Sequence, residues 1–327
     1  MAISVDLVPK SEINTTNKGF GMKYHIMLVI TIIFLFVSCS KKEESKSIKT
    51  IGVTLLTRAH VFYRDLEEGL RSEAEKKGYK LIITAGDFDL GKQSNQIEDF
   101  ITQKVDAIIV CPVDSRGVGP AIRKANEAKI PVFTADIASQ EGEVVSHIAS
   151  DNVAGGRLAG EYLAKVLNGK GKVAIIGQPT VTSVLDRTQG FKDAIAKYPD
   201  IKIVADLNAE GVRDKAMQIT SDVLQAHPDL NGIFGINDDS ALGALDAVQQ
   251  YKRLDVKIVG YDATPPARDA ILKGTQLKAD VIQNPKKIGA TTIQKIHDYF
   301  SGEPVPKIVP VEVGIVDKEA LTKITAR

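Results

Sequence analysis

The sequence predicts an α/β protein of two lobes, each with a parallel β-sheet covered by helices. From residue 48 onward, short apolar runs alternate with longer runs that have helical periodicity. This alternation is typical of parallel sheets, because the crossover between two parallel strands is usually a helix. About ten predicted strands over about 270 residues exceed what one hydrophobic core comfortably holds. We therefore expect two lobes.

The individual elements follow from apolar runs and their spacing. The predicted strands are 50–56, 80–84, 107–110, 131–134, 144–149, 172–176, 201–205, 232–236, 256–260 and 277–282. The predicted helices are 64–77, 117–128, 153–167, 187–197, 213–226, 239–250 and 285–300. In the first helix, Leu66, Leu70 and Ala74 recur at every fourth position, so they share one face. The glycines of 154–160 lie within a helical pattern, and we expect them to permit close packing.

The N-terminal segment has a different composition. Residues 26–37 form an apolar run that follows two lysines and precedes Cys39. A membrane-spanning helix needs about 20 apolar residues, so residues 1–38 are interpreted as a signal peptide, with Met22 as a second candidate start. The small residue before Cys39 is typical of a bacterial lipoprotein cleavage site, and residues 39–47 would then be a lipidated tether. A plain signal peptide and an uncleaved anchor are the alternatives.

Composition and motifs exclude several classes of protein. The chain has 42 Lys and Arg against 41 Asp and Glu, and this balance lacks the basic footprint of a nucleic-acid-binding protein. Its 2 cysteines cannot form a disulfide scaffold or a four-cysteine zinc site. No nucleophile elbow, Walker-type phosphate loop, HExxH or CxxC motif is present. We therefore expect no catalytic group, no metal and no cofactor.

Polar and aromatic side chains follow the predicted strands at one edge of each sheet, where α/β proteins bind ligands. They are His60, Phe62, Tyr63, Asp136, Arg187, Asn237, Asp262 and Gln283. Carboxylates and amides can pair hydroxyl groups, and a guanidinium supplies a fixed fork of donors. Aromatic rings cover the C–H face of a sugar. The set predicts a site for a neutral polyhydroxylated ligand.

Some of these positions also have purely structural interpretations. Asp238 and Asp239 begin a predicted helix, and N-capping is favoured for at least one of them. They are also the best available acid/base pair for an enzyme on this scaffold, although adjacent residues rarely share one cleft. Asn237 can be read as a turn residue, and Cys111 as a buried small apolar residue.

Several blocks, in the same order along the chain, resemble the bacterial ribose-binding protein family, the periplasmic type I sugar-binding receptors of ABC importers. The blocks are 142–165, 236–245, 259–267 and the segment around Gln283. The resemblance covers about residues 48–320. It implies the periplasmic binding protein type I fold, in which two Rossmann-like lobes with parallel sheets are joined by a three-strand hinge. It also implies an N-terminal lobe of 48–150 plus 284–312, and a C-terminal lobe of 151–283 plus 313–327.

The resemblance also assigns roles to the candidate residues. Phe62 and Tyr63 match stacking aromatics, whereas Asp136, Arg187, Asn237, Asp262 and Gln283 match polar contacts to sugar hydroxyls. The chain departs from the family at four positions. Leu56 stands in place of a serine, His60 of an asparagine, Ile137 of an arginine and Gly211 of a stacking phenylalanine. His60 and Ile137 are therefore further candidate contacts, and a sugar is better supported than ribose itself.

The function implied is that of a monomeric extracytoplasmic receptor. It would deliver a ribose-like or related monosaccharide to an ABC permease by hinge closure, from the periplasm or the outer face of the cytoplasmic membrane, which it touches through a lipid anchor only. The alternative is a sugar sensor that presents its ligand to a chemotaxis or histidine-kinase receptor. A sugar-responsive repressor is disfavoured, because an apolar signal stands where its helix-turn-helix would lie.

Overall fold

The computed structural model describes residues 48–325. The predictions of a signal peptide, a lipidated Cys39 and a tether fall outside these residues. The strands are β1 (Thr50–Leu55), β2 (Lys80–Ala85), β3 (Ala107–Val110), β4 (Val132–Ala135), β5 (Ser146–Ser150), β6 (Lys170–Gly177), β7 (Asp200–Asn208), β8 (Leu230–Gly235), β9 (Lys257–Asp262), β10 (Leu277–Ile282), β11 (Ile308–Val311) and β12 (Gly314–Asp317). The helices are α1 (Val61–Lys77), α2 (Leu90–Thr102), α3 (Gly119–Glu127), α4 (Asn152–Val166), α5 (Thr182–Ile195), α6 (Arg213–Ala226), α7 (Asp238–Gln250), α8 (Pro265–Leu272), α9 (Pro285–Phe300) and α10 (Lys318–Thr325).

The strands form two six-stranded sheets flanked by helices, one in each lobe, and this confirms the predicted fold class. The first sheet has the order β2–β1–β3–β4–β5–β11 and is entirely parallel. In its register, Val53 lies between Ile83 and Ile109. The second has the order β7–β6–β8–β9–β10–β12 and is parallel except for β12, which runs antiparallel to β10. We call the lobe built on the first sheet the N-terminal lobe and the other the C-terminal lobe.

The chain passes between the sheets at three places. It leaves the first sheet after β5, returns after β10 and crosses again between β11 and β12. Since β5 pairs with β11 and β10 pairs with β12, the three crossings leave from neighbouring strands at one edge of each sheet. The lobes are therefore joined along one side, and the cleft between them opens on the other sides.

Two closely packed helices in the C-terminal lobe explain the glycines of 154–160. A Cβ atom on Gly156 of α4 would lie 1.9 Å from the carbonyl oxygen of Arg187 in α5. A Cβ atom on Gly190 of α5 would lie 2.0 Å from the carbonyl oxygen of Val153 in α4. Both distances are far below van der Waals contact, so this approach requires glycine. The expectation of close packing is confirmed, and the contact fixes the position of the α5 residues that face the cleft.

The sequence did not predict α2, α8, β11, β12 or α10. The buried residues of α2 are Gln93, Ile97 and Phe100, so one of the three positions on its buried face is polar. Helix α8 has 8 residues, and the edge strands β11 and β12 have 4 residues each, with Pro310 inside β11. Helix α5 begins at Thr182, ahead of the predicted start at 187. Within residues 48–325, no helix is both long and apolar enough to span a membrane.

Candidate functional site

A cleft between the lobes, with about 440 Å³ of empty space including its opening to solvent, contains the candidate residues. All of the sequence-predicted binding residues line it, namely His60, Phe62, Tyr63, Asp136, Ile137, Arg187, Asn237, Asp262 and Gln283. They converge because the carboxyl ends of both parallel sheets face this cleft.

The wall from the N-terminal lobe joins an aromatic pair to a buried carboxylate. Phe62 and Tyr63 lie in the first turn of α1, with their rings edge to face at 5.2 Å. The Tyr63 hydroxyl donates a hydrogen bond of 2.7 Å to Oδ2 of Asp136, which directly follows β4. Oδ1 of Asp136 is buried and has no hydrogen-bond partner. Burial raises the pKa of Asp136 to about 6, although the charge of Arg187 and the Tyr63 hydrogen bond oppose the shift.

Arg187 is the central cation of the C-terminal wall, and only 5% of it is exposed. Its Nε donates to Oδ1 of Asn152 at 2.9 Å, and its Nη1 donates to the carbonyl oxygen of Ile236 at 2.8 Å. The guanidinium carbon lies 3.9 Å from the ring centre of Tyr261, and Nη1 lies 3.8 Å from Oδ1 of Asp262. These hydrogen bonds hold one edge of the Arg187 guanidinium in place. A ligand would bind the N–H groups of the guanidinium that the protein does not use.

Asp262 and Gln283 form a second polar pair at the carboxyl ends of β9 and β10. Nε2 of Gln283 donates to Oδ1 of Asp262 at 2.5 Å. This bond orients the amide and leaves Oε1 of Gln283 buried without a partner. Burial raises the pKa of Asp262, while the charges of Arg187 and His60 oppose the shift. The cleft therefore has two unpaired buried acceptors, one on Asp136 and one on Gln283.

The N-cap of α7 is Asn237, and the prediction that Asp238 or Asp239 caps this helix is wrong. Asn237 has an extended backbone, and its Oδ1 accepts a hydrogen bond of 2.9 Å from the backbone N–H of Ser240. Both aspartates already lie in the first helical turn, where the backbone is no longer extended. The Asn237 amide also donates to the carbonyl oxygen of Gly211 at 3.1 Å, so the fold itself uses much of its hydrogen-bonding capacity.

Asp238 and Asp239 do not converge on one point as an acid/base pair would. Asp238 is 3% exposed and accepts a hydrogen bond of 2.6 Å from the backbone N–H of Thr264. Burial and the nearby charge of Asp262 raise the pKa of Asp238 to about 7. Asp239 instead reaches His60 across the cleft. Among residues 48–325, no group of His, Cys, Asp or Glu side chains is arranged to hold a metal ion.

Two sets of direct contacts join the lobes. In one, Nε2 of His60 lies 2.7 Å from Oδ2 of Asp239. Burial lowers the pKa of His60, but the hydrogen bond and charge of Asp239 outweigh it and raise the value to about 9. In the other, the backbone N–H of Thr182 donates to Oγ of Ser115 at 3.0 Å, and the backbone N–H of Ala138 donates to Oγ1 of Thr182 at 3.0 Å.

The structure adds cleft residues that the sequence reasoning missed. They include Phe88, Gln178, Val181, Ser183, Val184 and Ile236. Gln178 directly follows β6, so the search of strand ends that found the other residues could also have found it. Val181 and Ser183 lie where α5 begins, and the predicted start of this helix was too late to reveal them. Leu56 and Gly211, the departures noted from the sequence, also line the cleft.

Two α/β lobes that are joined on one side and enclose a polar cleft define a two-lobe ligand-binding protein. A family model described as a periplasmic binding protein domain matches residues 51–304. The chain belongs to this family, and it is a ribose-binding-like sugar-binding protein within it. Its relatives are substrate-binding receptors rather than enzymes, which confirms the prediction that the protein is not an enzyme.

The similarity to individual proteins extends over most of the chain. The ribose import binding protein RbsB of Salmonella typhimurium is 36% identical over 292 residues, which cover 89% of this chain and 97% of that protein. The crystal structure of an ABC transporter solute binding protein from Mycobacterium smegmatis with bound glycerol has a TM-score of 0.81 and 33% identity, covering 86% of this chain and 98% of that one. A periplasmic solute binding protein from Actinobacillus succinogenes with bound D-allose has a TM-score of 0.78 and 31% identity, covering 84% and 99%.

Proposed function

We propose that the protein binds a ribose-like or related monosaccharide in this cleft and delivers it to an ABC permease. The observation that carries the proposal is the pair of buried acceptors without partners, Oδ1 of Asp136 and Oε1 of Gln283. A buried polar atom without a hydrogen bond is unfavourable, and the hydroxyl groups of a sugar would supply donors to both. The names of the relatives, which include ribose and D-allose binders, support the same class of ligand.

Each wall of the cleft would contribute a different kind of contact. Phe62 would cover a C–H face of the sugar, with Tyr63 holding Asp136 in place from behind. Asp136, Asp262 and Gln283 would accept hydrogen bonds from hydroxyl groups. Arg187 and Asn237 would donate those hydrogen bonds that the protein does not already use. His60 and Ile137 would lie beside the ligand at the edge of this set.

Closure of the lobes would couple binding to delivery. The candidate contacts come from both lobes, so a bound sugar stabilises the closed form relative to the open one. A ligand shifts such an equilibrium only through its different affinity for the two states. The closed lobes would then present one continuous surface to the permease. No covalent bond changes in this cycle.

The organisation of the chain fits this role. We propose a signal peptide at 1–38, lipid attachment at Cys39 and a tether at 39–47, which would hold the receptor at the outer face of the cytoplasmic membrane. For the lobes we propose 48–150 plus 284–312 and 151–283 plus 313–327. Membership of the strands in the two sheets supports these lobe boundaries, and the composition of the N-terminal segment supports the anchor.

A thermal-shift panel of monosaccharides on the purified protein tests the proposal, together with mass spectrometry of any co-purified ligand. A sugar at about 100 times its dissociation constant should stabilise the fold by about 2.7 kcal/mol. We expect at least one pentose, hexose or related polyol to raise the melting temperature and to be recovered unchanged. Turnover of the sugar, or no shift with any member of the panel, would contradict the proposal.

A further inference from the structure

The C-terminal wall of the cleft contains a buried amide that no part of the fold uses. Gln178 directly follows β6 and is 8% exposed. Its side chain lines the cleft. In contrast to Asn237 and Gln283, whose amides are bound by neighbouring residues, the Gln178 amide makes no side-chain hydrogen bond with any residue in 48–325. Its hydrogen-bonding capacity therefore remains available to the space inside the cleft.

The backbone at Gly211 explains how the Gln178 amide fits in this position. Gly211 has a φ of +66°, in the left-handed region that favours glycine. A Cβ atom at this position would lie 2.7 Å from Oε1 of Gln178 and 3.1 Å from Nδ2 of Asn237. The absence of a side chain at Gly211 thus leaves room for the Gln178 amide. A larger residue at 211 would have to displace it.

The aromatic side chains of the cleft all come from the opposite wall. Among the described residues that line it, Phe62, Tyr63 and Phe88 belong to the N-terminal lobe, and none of the lining residues between 178 and 283 is aromatic. Ser183 also lies on the C-terminal wall, is 4% exposed and makes no side-chain hydrogen bond within residues 48–325. One wall therefore suits an apolar C–H face, whereas the other offers an unpaired amide and a hydroxyl.

We propose that Gln178 is a specificity-determining contact that hydrogen-bonds a hydroxyl group on the side of the ligand facing the C-terminal lobe. The inference rests on the proposed sugar-binding function and adds the class of ligand. The cleft selects monosaccharides or alditols that carry a hydroxyl on the face opposite to the one covered by Phe62. A ligand without this hydroxyl would leave the Gln178 amide buried and unpaired, and sites that pair hydroxyls reject such analogues strongly.

The test compares the discrimination between hydroxylated and deoxygenated ligands in matched variants. The probes are D-ribose, D-allose, D-xylose and xylitol, followed by each monodeoxy derivative of the probe that binds most tightly, with dissociation constants from calorimetry. Gln178→Met keeps the length of the side chain and removes the amide. Gln178→Ala provides a second variant if methionine disturbs the fold. Gln249→Met, on the exposed face of α7, is the matched control.

We expect Gln178→Met to weaken binding of the parent ligand by about 5-fold or more, the effect of one lost hydrogen bond. The wild-type protein should bind one monodeoxy derivative more weakly than the parent ligand. This difference in affinity should disappear in Gln178→Met, because the ligand hydroxyl and the amide act as a pair. Gln249→Met should bind like the wild type. Equal weakening of the parent and all its derivatives, or unchanged affinity, would overturn the inference but leave the sugar-binding function intact. If the wild-type protein binds none of these probes and no other member of the monosaccharide panel, both proposals fail.

Discussion

His60 Nε2 lies 2.7 Å from Oδ2 of Asp239, and this contact joins the start of α1 in one lobe to the start of α7 in the other. The histidine side chain is 13% exposed and the aspartate side chain is 40% exposed, so solvent screens this ion pair only in part. His60 lines the cleft, and its Nε2 lies 3.4 Å from Nδ2 of Asn237. The contact between His60 and Asp239 contributes to the free energy of lobe closure without any ligand. This contribution depends on pH.

The first prediction concerns pH. The folded-state pKa of His60, about 9, is above its ordinary value of 6.5. The stabilisation is therefore complete below about pH 6.5 and is lost as the pH rises through 9. We expect His60→Gln to be less stable than the wild type by on the order of 2 kcal/mol at pH 6, and the difference to shrink toward zero at pH 10. Urea unfolding across this range measures it. Asp239→Asn should show the same trend, and a constant difference would exclude the ion pair as the cause.

A second prediction separates the stability of the fold from its function at Asp136. Because burial raises the pKa of Asp136 from 3.8 to about 6, the folded state binds a proton more tightly than the unfolded state. Its stability therefore falls as the pH rises from about 4 to about 6. We expect Asp136→Asn to be more stable than the wild type at pH 8, by on the order of 2 kcal/mol, and to bind the sugar at least about 10-fold more weakly.

Chemical denaturation and calorimetry on the same samples check both halves of the Asp136 prediction. Asp222→Asn, at an exposed position of α6, serves as the control and should change neither quantity. A variant that is destabilised at pH 8, or one that binds the sugar as well as the wild type, would contradict the assignment of Asp136 as a buried acceptor kept for the ligand.

A third prediction concerns Arg187, whose guanidinium has both a structural and a ligand-binding part. Arg187→Ala would remove the hydrogen bonds to Asn152 and Ile236 and the charge beside Asp262. Breaking such a buried set typically costs about 3 kcal/mol or more. We expect a lower melting temperature without ligand and no thermal shift with any sugar. Arg157→Ala, which removes an exposed arginine from α4, should leave both unchanged. A normal ligand shift in Arg187→Ala would refute the assigned contact.

The fourth prediction uses the close approach of α4 and α5. Gly156→Ala would place a methyl group 1.9 Å from the carbonyl oxygen of Arg187, so the helices must separate. Overpacking of this kind usually destabilises by about 1–3 kcal/mol, and the shift of α5 should also weaken sugar binding. Gly91→Ala in α2 is the control, since its Cβ would meet only a side-chain oxygen of Asp89, at 3.3 Å. Equal stability and affinity for the two variants would show that the helix contact does not position Arg187.

The sequence predicted the cleft residues best where a polar residue stands at the end of a recognisable strand. Asp262 ends β9 and Gln283 directly follows β10, so the rule for strand ends was sufficient to place both in the cleft. Asn237 illustrates the limit of this approach. Its neighbours Asp238 and Asp239 are of a residue type that caps helices as readily as asparagine does. The backbone conformation at 237 decides which side chain reaches the free N–H groups.

The strand-end rule could place Gln178 in the cleft, but the sequence could not predict that its amide stays unpaired, because the space around the amide depends on a distant position. Gly211 comes from a loop far along the chain, and the space that it leaves is visible only once the loop before α6 lies against the end of β6. Strands β11 and β12 were missed for a similar reason, since four-residue edge strands obtain their order from β5 and β10 rather than from their own sequence. Tertiary contacts of this kind leave almost no local signal.

The position of β11 and β12 has a consequence for biosynthesis. Each strand completes a different sheet, and both come from residues near the end of the chain. A ribosome releases about 5–20 residues per second, in order, so neither lobe can gain its last strand before residue 308 has emerged. Until then β5 and β10 keep unpaired backbone edges, which other chains can bind. Each lobe therefore reaches its final form only after residues 308–317 have joined it, and the two lobes are completed in close succession.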